Sequence, residues 1–350
     1  MPHLTAQPPI SEVEPGPNDK VYPPQKLALL LDQLAAEGVS PQEALAGVGV
    51  SEEAVGWPDT RLSLNQMIAS HQNALRLSRD PNFAYRLGLR FHAPAHGMYG
   101  FALLSSTDYR QTIDFAMRYR QLAVPLVHVD FSETSTSGVW TMTPLAHAAM
   151  TPRLCRYLLE LQIGTHLALH RDVMNAGFNA QQIRLTLDPS EDPARYVELF
   201  GCPVLFGQPQ NQMLFDVAWL NQRPELGNET TFGAVQKICD VLIGDLRLRI
   251  GFAGRVRQYL LANLMKSVRV GNVARHFEMS VRTLRRKLLE EDTTYRQLLD
   301  DLRRDLAIRY LRDTVMTVDD IGAALGFSEP TNFRQAFRRW TKATPSDFRA

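Results

Sequence analysis

The sequence predicts an α+β N-terminal domain followed by an all-α C-terminal domain with two helix-turn-helix units. Three observations lead there. Short alternating apolar runs lie between helical stretches in the first two thirds of the chain. The last hundred or so residues carry helical periodicity almost throughout. Within them one pattern of small residue, turn and amphipathic helix occurs twice, 48 residues apart.

A chain of 350 residues suits two domains. With 45% hydrophobic and 21% charged residues, the composition is that of a soluble globular protein. No apolar run approaches the ~20 residues that cross a bilayer, so no membrane partner is expected. Residues 1–24 hold Pro8, Pro9, Pro15, Pro17, Pro23 and Pro24 and read as a disordered tail with little to bury. They lack the basic start and apolar stretch of a secretion signal. Cys155, Cys202 and Cys239 are too far apart for a metal-ligand pattern, and a reducing cytoplasm is the simplest setting.

Residues 25–230 read as the mixed domain. Gln25 to Glu37 is a helix, with Leu27, Leu30, Leu31 and Leu34 on a broad apolar face. Ser40-Pro41 is an N-cap followed by proline at the first helical position. Ser63 to Arg79 and Asn82 to Phe91 are further helices. Gly97, Gly100 and Ser105-Ser106-Thr107 break the pattern, and Thr107 is expected to cap a helix running to Gln121. Pro125 to Phe131 alternates as a strand, and Gly138 to Met142 is its partner across the polar turn Thr134 to Ser137. Pro152 to Asn175 is the longest helix of this half. Ile183 to Leu187 is a strand, Pro193 to Phe200 a short helix, and Val204 to Phe206 and Gln212 to Phe215 are short strands. Leu220 to Thr231 reads as loop. A helix over residues 231–251 is expected to link the two domains.

Residues 252–350 form the helical domain. They carry 19 Lys and Arg against 12 Asp and Glu, a surplus of seven, which leaves residues 1–251 with a deficit of six. A basic domain behind an acidic one points to a polyanion as partner of the former alone. A helix-turn-helix needs a small residue in its first helix, because the second packs across it. It also needs a tight turn, an N-cap and apolar residues that hold the second helix down. From Val273 to Leu288, Ala274 is the small residue, Val273 and Phe277 give support, Ser280 is the N-cap, and Leu284 and Leu288 face the core. Arg282, Thr283, Arg285 and Arg286 then face outward. In the second unit Gly322 is the small residue, Ile321 and Leu325 give support, Gly326 allows the turn, and Phe333 and Phe337 face inward. Thr331, Asn332, Arg334 and Gln335 face outward. Arg can bind guanine, and Asn or Gln adenine, through two hydrogen bonds worth roughly 1–3 kcal/mol of discrimination. Between the units, Tyr295 to Asp313 is a long amphipathic helix that fixes their placement.

Val318 to Arg349, with Leu325-Gly326-Phe327-Ser328, Asn332-Phe333, Ala336 to Trp340 and Thr344 to Arg349, is similar to the C-terminal signature of AraC/XylS-type transcription regulators. Ser280 to Leu288 resembles the first recognition helix of that family. The resemblance covers about the last hundred residues. It implies that Arg282, Thr283, Arg285 and Arg286, with Thr331, Asn332, Arg334 and Gln335, contact double-stranded DNA. The two helices would enter successive major grooves roughly 34 Å apart. The sequence departs from the family pattern at Glu278, in the first turn, and at Asp292 and Lys342, which stand where glycine is common.

Residues 25–230 resemble the effector domain of the ornithine-utilisation type of this family, through Gly97 to Ser106, Phe200-Gly201-Cys202-Pro203-Val204 and Phe215-Asp216. That resemblance implies a small-molecule effector and a homodimer, and activation through RNA polymerase as the usual outcome. Tyr99 and Phe101 are the candidate pocket residues, with core packing beside a glycine-rich turn as the plainer reading. His92 and His96 are separated by Pro94 and lack further ligands nearby, so neither a metal site nor a cofactor is expected. Asp130 and Glu133 read as strand-edge charges. With no nucleophile elbow, phosphate loop or zinc motif, the chain is not expected to be an enzyme. The alternative within DNA binding is a constitutive protein whose N-terminal half only dimerises.

Overall fold

A computed structural model describes residues 15–123, 126–188, 193–247, 250–264 and 269–349. These fall into two compact units, one of residues 20–244 and one of residues 245–349 with the segment that ends at Asp19.

The first unit is α+β. Its helices are α1 (Gln25–Ala35), α2 (Pro41–Ala44), α3 (Glu52–Val55), α4 (Leu64–Leu77), α5 (Phe83–Leu89), α6 (Met98–Ser105), α7 (Tyr109–Arg118), α8 (Pro152–Met174), α9 (Pro193–Phe200) and α10 (Glu229–Arg247). Local chemistry sets their starts. Ser40 and Glu43 form a reciprocal capping box on α2, as do Ser63 and Gln66 on α4. Thr151 caps α8, which opens on Pro152. The strands are β1 (Val127–Glu133), β2 (Ser137–Pro144), β3 (Gln182–Arg184), β4 (Val204–Leu205) and β5 (Asn211–Asp216). They form one sheet in the order β1-β2-β5-β3-β4. All pairings are antiparallel except β3–β4. Phe131 lies opposite Trp140 in the β1–β2 register, with ring centroids 5.0 Å apart.

Helix α8 crosses α5 where two glycines meet. A Cβ on Gly88 would come 2.2 Å from the Leu161 carbonyl oxygen, and one on Gly164 would come 2.5 Å from that of Tyr85. The backbones therefore approach more closely than any side chain allows. Helix α10 packs on α7, with Phe232 edge-on to Phe115 at 5.6 Å and the Tyr119 hydroxyl donating to Asp240 at 2.6 Å.

Three expectations differ from the structure. The predicted tail is ordered from residue 15 onward where it is described. Val21 and Tyr22 are buried, and Tyr22 pairs with Leu62 as an isolated antiparallel bridge, because these apolar residues find a partner 40 positions away. Residues 1–14 lie outside the described residues. Gly100 does not break a helix but lies inside α6, where a Cβ would strike the Ala93 carbonyl. Asp108, not Thr107, caps α7 by accepting from the Gln111 amide at 2.8 Å, while Thr107 binds the Gln111 side chain.

The second unit is all-α: α11 (Gly251–Asn263), α12 (Val270–His276), α13 (Val281–Leu289), α14 (Tyr295–Asp313), α15 (Val318–Ala324) and α16 (Pro330–Thr341). Every one of these helices contributes to a single core. Val256 and Leu260 meet Val273, Leu284, Leu288, Leu302, Ile321, Phe333 and Phe337 there. The long helix α14 lies against α11, α15 and α16. The Glu291 carboxylate accepts from the Phe252 and Ala253 amides at 2.8 and 2.9 Å, and Asp19 accepts from Gly251. Both carboxylates satisfy the open amides at the start of α11.

Candidate nucleic-acid interface

The first candidate recognition helix, α13, begins at Ser280. That residue is extended, and its Oγ accepts from the Thr283 amide at 3.1 Å. The turn before it passes through Glu278 at φ 52°, and the Met279 amide reaches back to the Ala274 carbonyl at 2.9 Å. Leu284 and Leu288, four apart, are fully buried. That spacing turns Arg282, Arg285 and Arg286 outward, and all three are exposed. Thr283 is only half-exposed, and its hydroxyl lies 2.9 Å from that of Ser280.

The second unit is built the same way with different parts. Thr317 and Asp320 make a capping box on α15. A Cβ on Gly322 would sit 3.1 Å from Phe333 Cβ, which is the close crossing that a small residue permits. Gly326 takes φ +76°, and a Cβ there would meet the Leu264 carbonyl at 2.5 Å. Arg303 of α14 clamps this turn. It donates to the Leu325 carbonyl at 2.9 Å and stacks 4.5 Å over the Phe327 ring. Burial draws its guanidinium pKa down, but from a starting value so high that it stays charged. Helix α16 opens on Pro330 and buries Phe333, Ala336 and Phe337. Thr331, Asn332, Arg334 and Gln335 are exposed.

An arginine on each outward face pairs with a carboxylate. Arg286 pairs with Glu290 at 2.6 Å, and Arg334 pairs with Asp319 at 2.6 Å. The first lies at i,i+4 spacing and is legible in principle. The second joins two helices across the turn and is not. Exposed pairs of this kind are worth about 0.2–1 kcal/mol, so either arginine can be released from its partner at small cost. Arg338 is exposed one turn beyond Arg334 and Gln335 and extends their row; that spacing was its signal. Asp292 and Lys342, at φ 54° and 62°, end α13 and α16 in the left-handed region.

In the other unit, Tyr99 and Phe101 part company. Tyr99 is buried beside His96 and Phe115, at 6.0 and 5.8 Å between rings. Phe101, half a turn round α6, is 46% exposed and does not join it. His92 binds Asp172 at 2.8 Å, and His96 donates to the Phe91 carbonyl at 3.2 Å. Glu133 pairs with Arg110 at 2.6 Å. Among the described residues no helix is long and apolar enough to cross a membrane.

Two helices, each held down by buried apolar residues, one turning arginines to solvent and the other an arginine with Asn332 and Gln335, define a helix-turn-helix DNA-binding protein. The comparisons with known proteins agree. Residues 38–224 match the arabinose-binding domain of AraC transcription regulator, N-terminal, and residues 273–350 match a helix-turn-helix domain. The chain is 32% identical over 324 residues to the ornithine utilization regulator of Pseudomonas aeruginosa, covering 91% of this chain and 94% of that one. It is 27% identical to an uncharacterized HTH-type transcriptional regulator of Mycobacterium tuberculosis, covering 95% and 98%. The crystal structure of transcriptional regulator CdpR from Pseudomonas aeruginosa shares the fold, with TM-score 0.50 and 21% identity over 93% of this chain and 97% of that one. The chain belongs to the AraC family: it is a DNA-binding transcription regulator and not an enzyme.

Proposed function

We propose that this regulator is a cytoplasmic transcription activator that responds to a small-molecule effector. It works as a homodimer on paired sites in double-stranded DNA and acts through RNA polymerase. Residues 25–230 bind the effector and dimerise, residues 231–251 connect, and residues 252–350 bind DNA. The observation that carries the DNA part is the repeated outward face: Arg282, Arg285 and Arg286 on α13, and Thr331, Asn332, Arg334 and Gln335 on α16. In this reading those side chains reach base edges and phosphates. Thr283, held by Ser280, fixes the start of α13 against the backbone. The effector part rests on the arabinose-binding-like domain that precedes the helix-turn-helix domain in the same chain. An effector acts here only by binding two arrangements of the dimer with different affinity.

The test is a footprint of the full-length protein on genomic fragments, including the region upstream of its own gene. Protection of two adjacent major grooves on one DNA face, altered by a metabolite, supports the reading. Protection that no metabolite alters would make the protein a constitutive DNA binder. An absence of specific protection at low salt would remove the proposed DNA contacts.

A further inference from the structure

Helix α1 carries a lysine that its surroundings do not neutralise. Lys26 Nζ donates to the Ala123 carbonyl at 2.8 Å and lies 5.5 Å over the Phe91 ring. An ammonium has three protons to place, and this is its one hydrogen bond among the described residues. Desolvation alone pulls its pKa down from 10.5 to about 7, with no described carboxylate opposing the shift. Its electrostatic neighbours are histidines. Lys26 acts on His71, His96 and His166, and each of them is desolvated and neutral. Glu160, the buried carboxylate of this unit, is engaged elsewhere, by the Tyr196 hydroxyl at 2.7 Å and by the charges of Arg195 and Arg156.

The same interior holds acceptors without donors. His96 Nε2 gives its proton to the Phe91 carbonyl at 3.2 Å, which leaves Nδ1 of the neutral ring as an acceptor. That Nδ1 is buried and unpartnered among the described residues, and so is Gln121 Oε1, two positions before the carbonyl that Lys26 holds. Phe91 joins the two halves, with its ring beneath Lys26 and its carbonyl on His96. A cation drawn partly out of water without a counter-charge costs a fold stability. Unpaired buried acceptors add to that cost. Such groups, placed around Phe91 and the segment that ends at Ala123, point to a site whose complement arrives from solution.

We propose that residues 20–244 enclose a binding site for a small carboxylate that also carries a hydrogen-bond donor, a hydroxy acid or amino acid. Lys26 is the partner of the carboxylate, and His96 Nδ1 and Gln121 Oε1 accept from the donor. The inference rests on the reading that this unit binds an effector, and it names the effector's chemical class.

Two measurements on the full-length protein test it. The first needs no ligand. Lys26→Met removes an uncompensated, partly buried cation, so the free protein should melt ~2–4 °C higher. A lower melting temperature would make Lys26 a structural prop for the Ala123 carbonyl and overturn the proposal. The second is a thermal-shift panel of two- to six-carbon hydroxy acids and amino acids, their amides, inorganic phosphate and L-arabinose. A carboxylate at about 100 times its Kd should raise the wild-type Tm by roughly 5 °C, while its amide and Lys26→Met show no shift. If arabinose or an amide stabilises the wild type and Lys26→Met equally, the effector reading stands and the carboxylate assignment fails. If phosphate alone does so through Lys26, the anion class is wrong. If no compound stabilises the wild type, the proposal is overturned, and a footprint equally indifferent to metabolites overturns the effector reading with it.

Discussion

Glu278, Asp292 and Lys342 hold φ values of 52°, 54° and 62°, a region that costs a side chain roughly 1–2 kcal/mol. Aspartate tolerates it best of the three. Glu278→Gly and Lys342→Gly should therefore each raise the stability of the helical unit by about 0.5–1 kcal/mol, read from the urea midpoint at unchanged m-value. A fall would show that the side chains repay their strain by contacts. The strain was legible because all three sit at turn positions where the family uses glycine. Arg286 poses a different question, since it is both an exposed ion-pair partner and a candidate base reader. Arg286→Ala should weaken binding to the cognate site by about 1–3 kcal/mol and relax base preference there, with little change in folding. Glu290→Gln should do the reverse and tighten binding by no more than the few tenths of a kcal/mol that the exposed pair holds. Unchanged affinity in Arg286→Ala would take α13 out of the groove.

At the scale of elements, helices whose signals are local were read well and those set by distant partners were not. Ser63, Thr151, Ser280 and Thr294 each cap the helix that follows, within three residues of their partners. The outward faces of α13 and α16 follow from i,i+4 spacing alone. Gly100 was misread because its reason for being glycine, the Ala93 carbonyl, belongs to a preceding turn whose path the sequence does not disclose. The pairing of Arg334 with Asp319, and the gathering of Lys26 with His71, His96 and His166, depend on tertiary placement and left no periodic trace. The α5–α8 crossing turns this contrast into a measurement. Gly88→Ala places a methyl group 2.2 Å from a backbone oxygen, which only a shift of the helices relieves, and should cost about 2 kcal/mol or more. Gly233→Ala, inside α10 with nothing within 4 Å, should instead gain about 0.5–1 kcal/mol. Thermal melts of the two variants should move in opposite directions. A neutral Gly88→Ala would mean that the two helices are free to part.

Across the whole molecule, charge is divided by function: the basic surplus lies in residues 252–350, and the buried histidines, His71, His166 and His170, lie in the other unit. Their burial makes stability depend on pH with a definite sign. Burial lowers the pKa of His71 and His170 to about 3, and that of His166 to about 4, against 6.5 unfolded. Burial is the larger cause, and the hydrogen bond from Trp140 adds to it in His170. Trp140 Nε1 donates to its Nε2 at 2.8 Å, and its Nδ1 faces the His166 carbonyl, so neither nitrogen has room for another hydrogen. Between pH 6.5 and about 4 the unfolded chain binds protons that the native chain refuses. The histidines' contribution to native stability is therefore complete above pH 6.5 and falls as pH drops through that window. Lys26 adds a slope of the same sign at higher pH. Its pKa of about 7 lies below the unfolded 10.5, so the cost of its buried charge is fully present below pH 7 and relieved as pH rises toward 10. The melting temperature should thus climb from pH 4 to pH 6.5, climb further above pH 7 in the wild type, and lose that second rise in Lys26→Met. A flat profile from pH 4 to pH 6.5 would mean that the histidines are hydrated, and an unchanged second rise in Lys26→Met would assign it to another group.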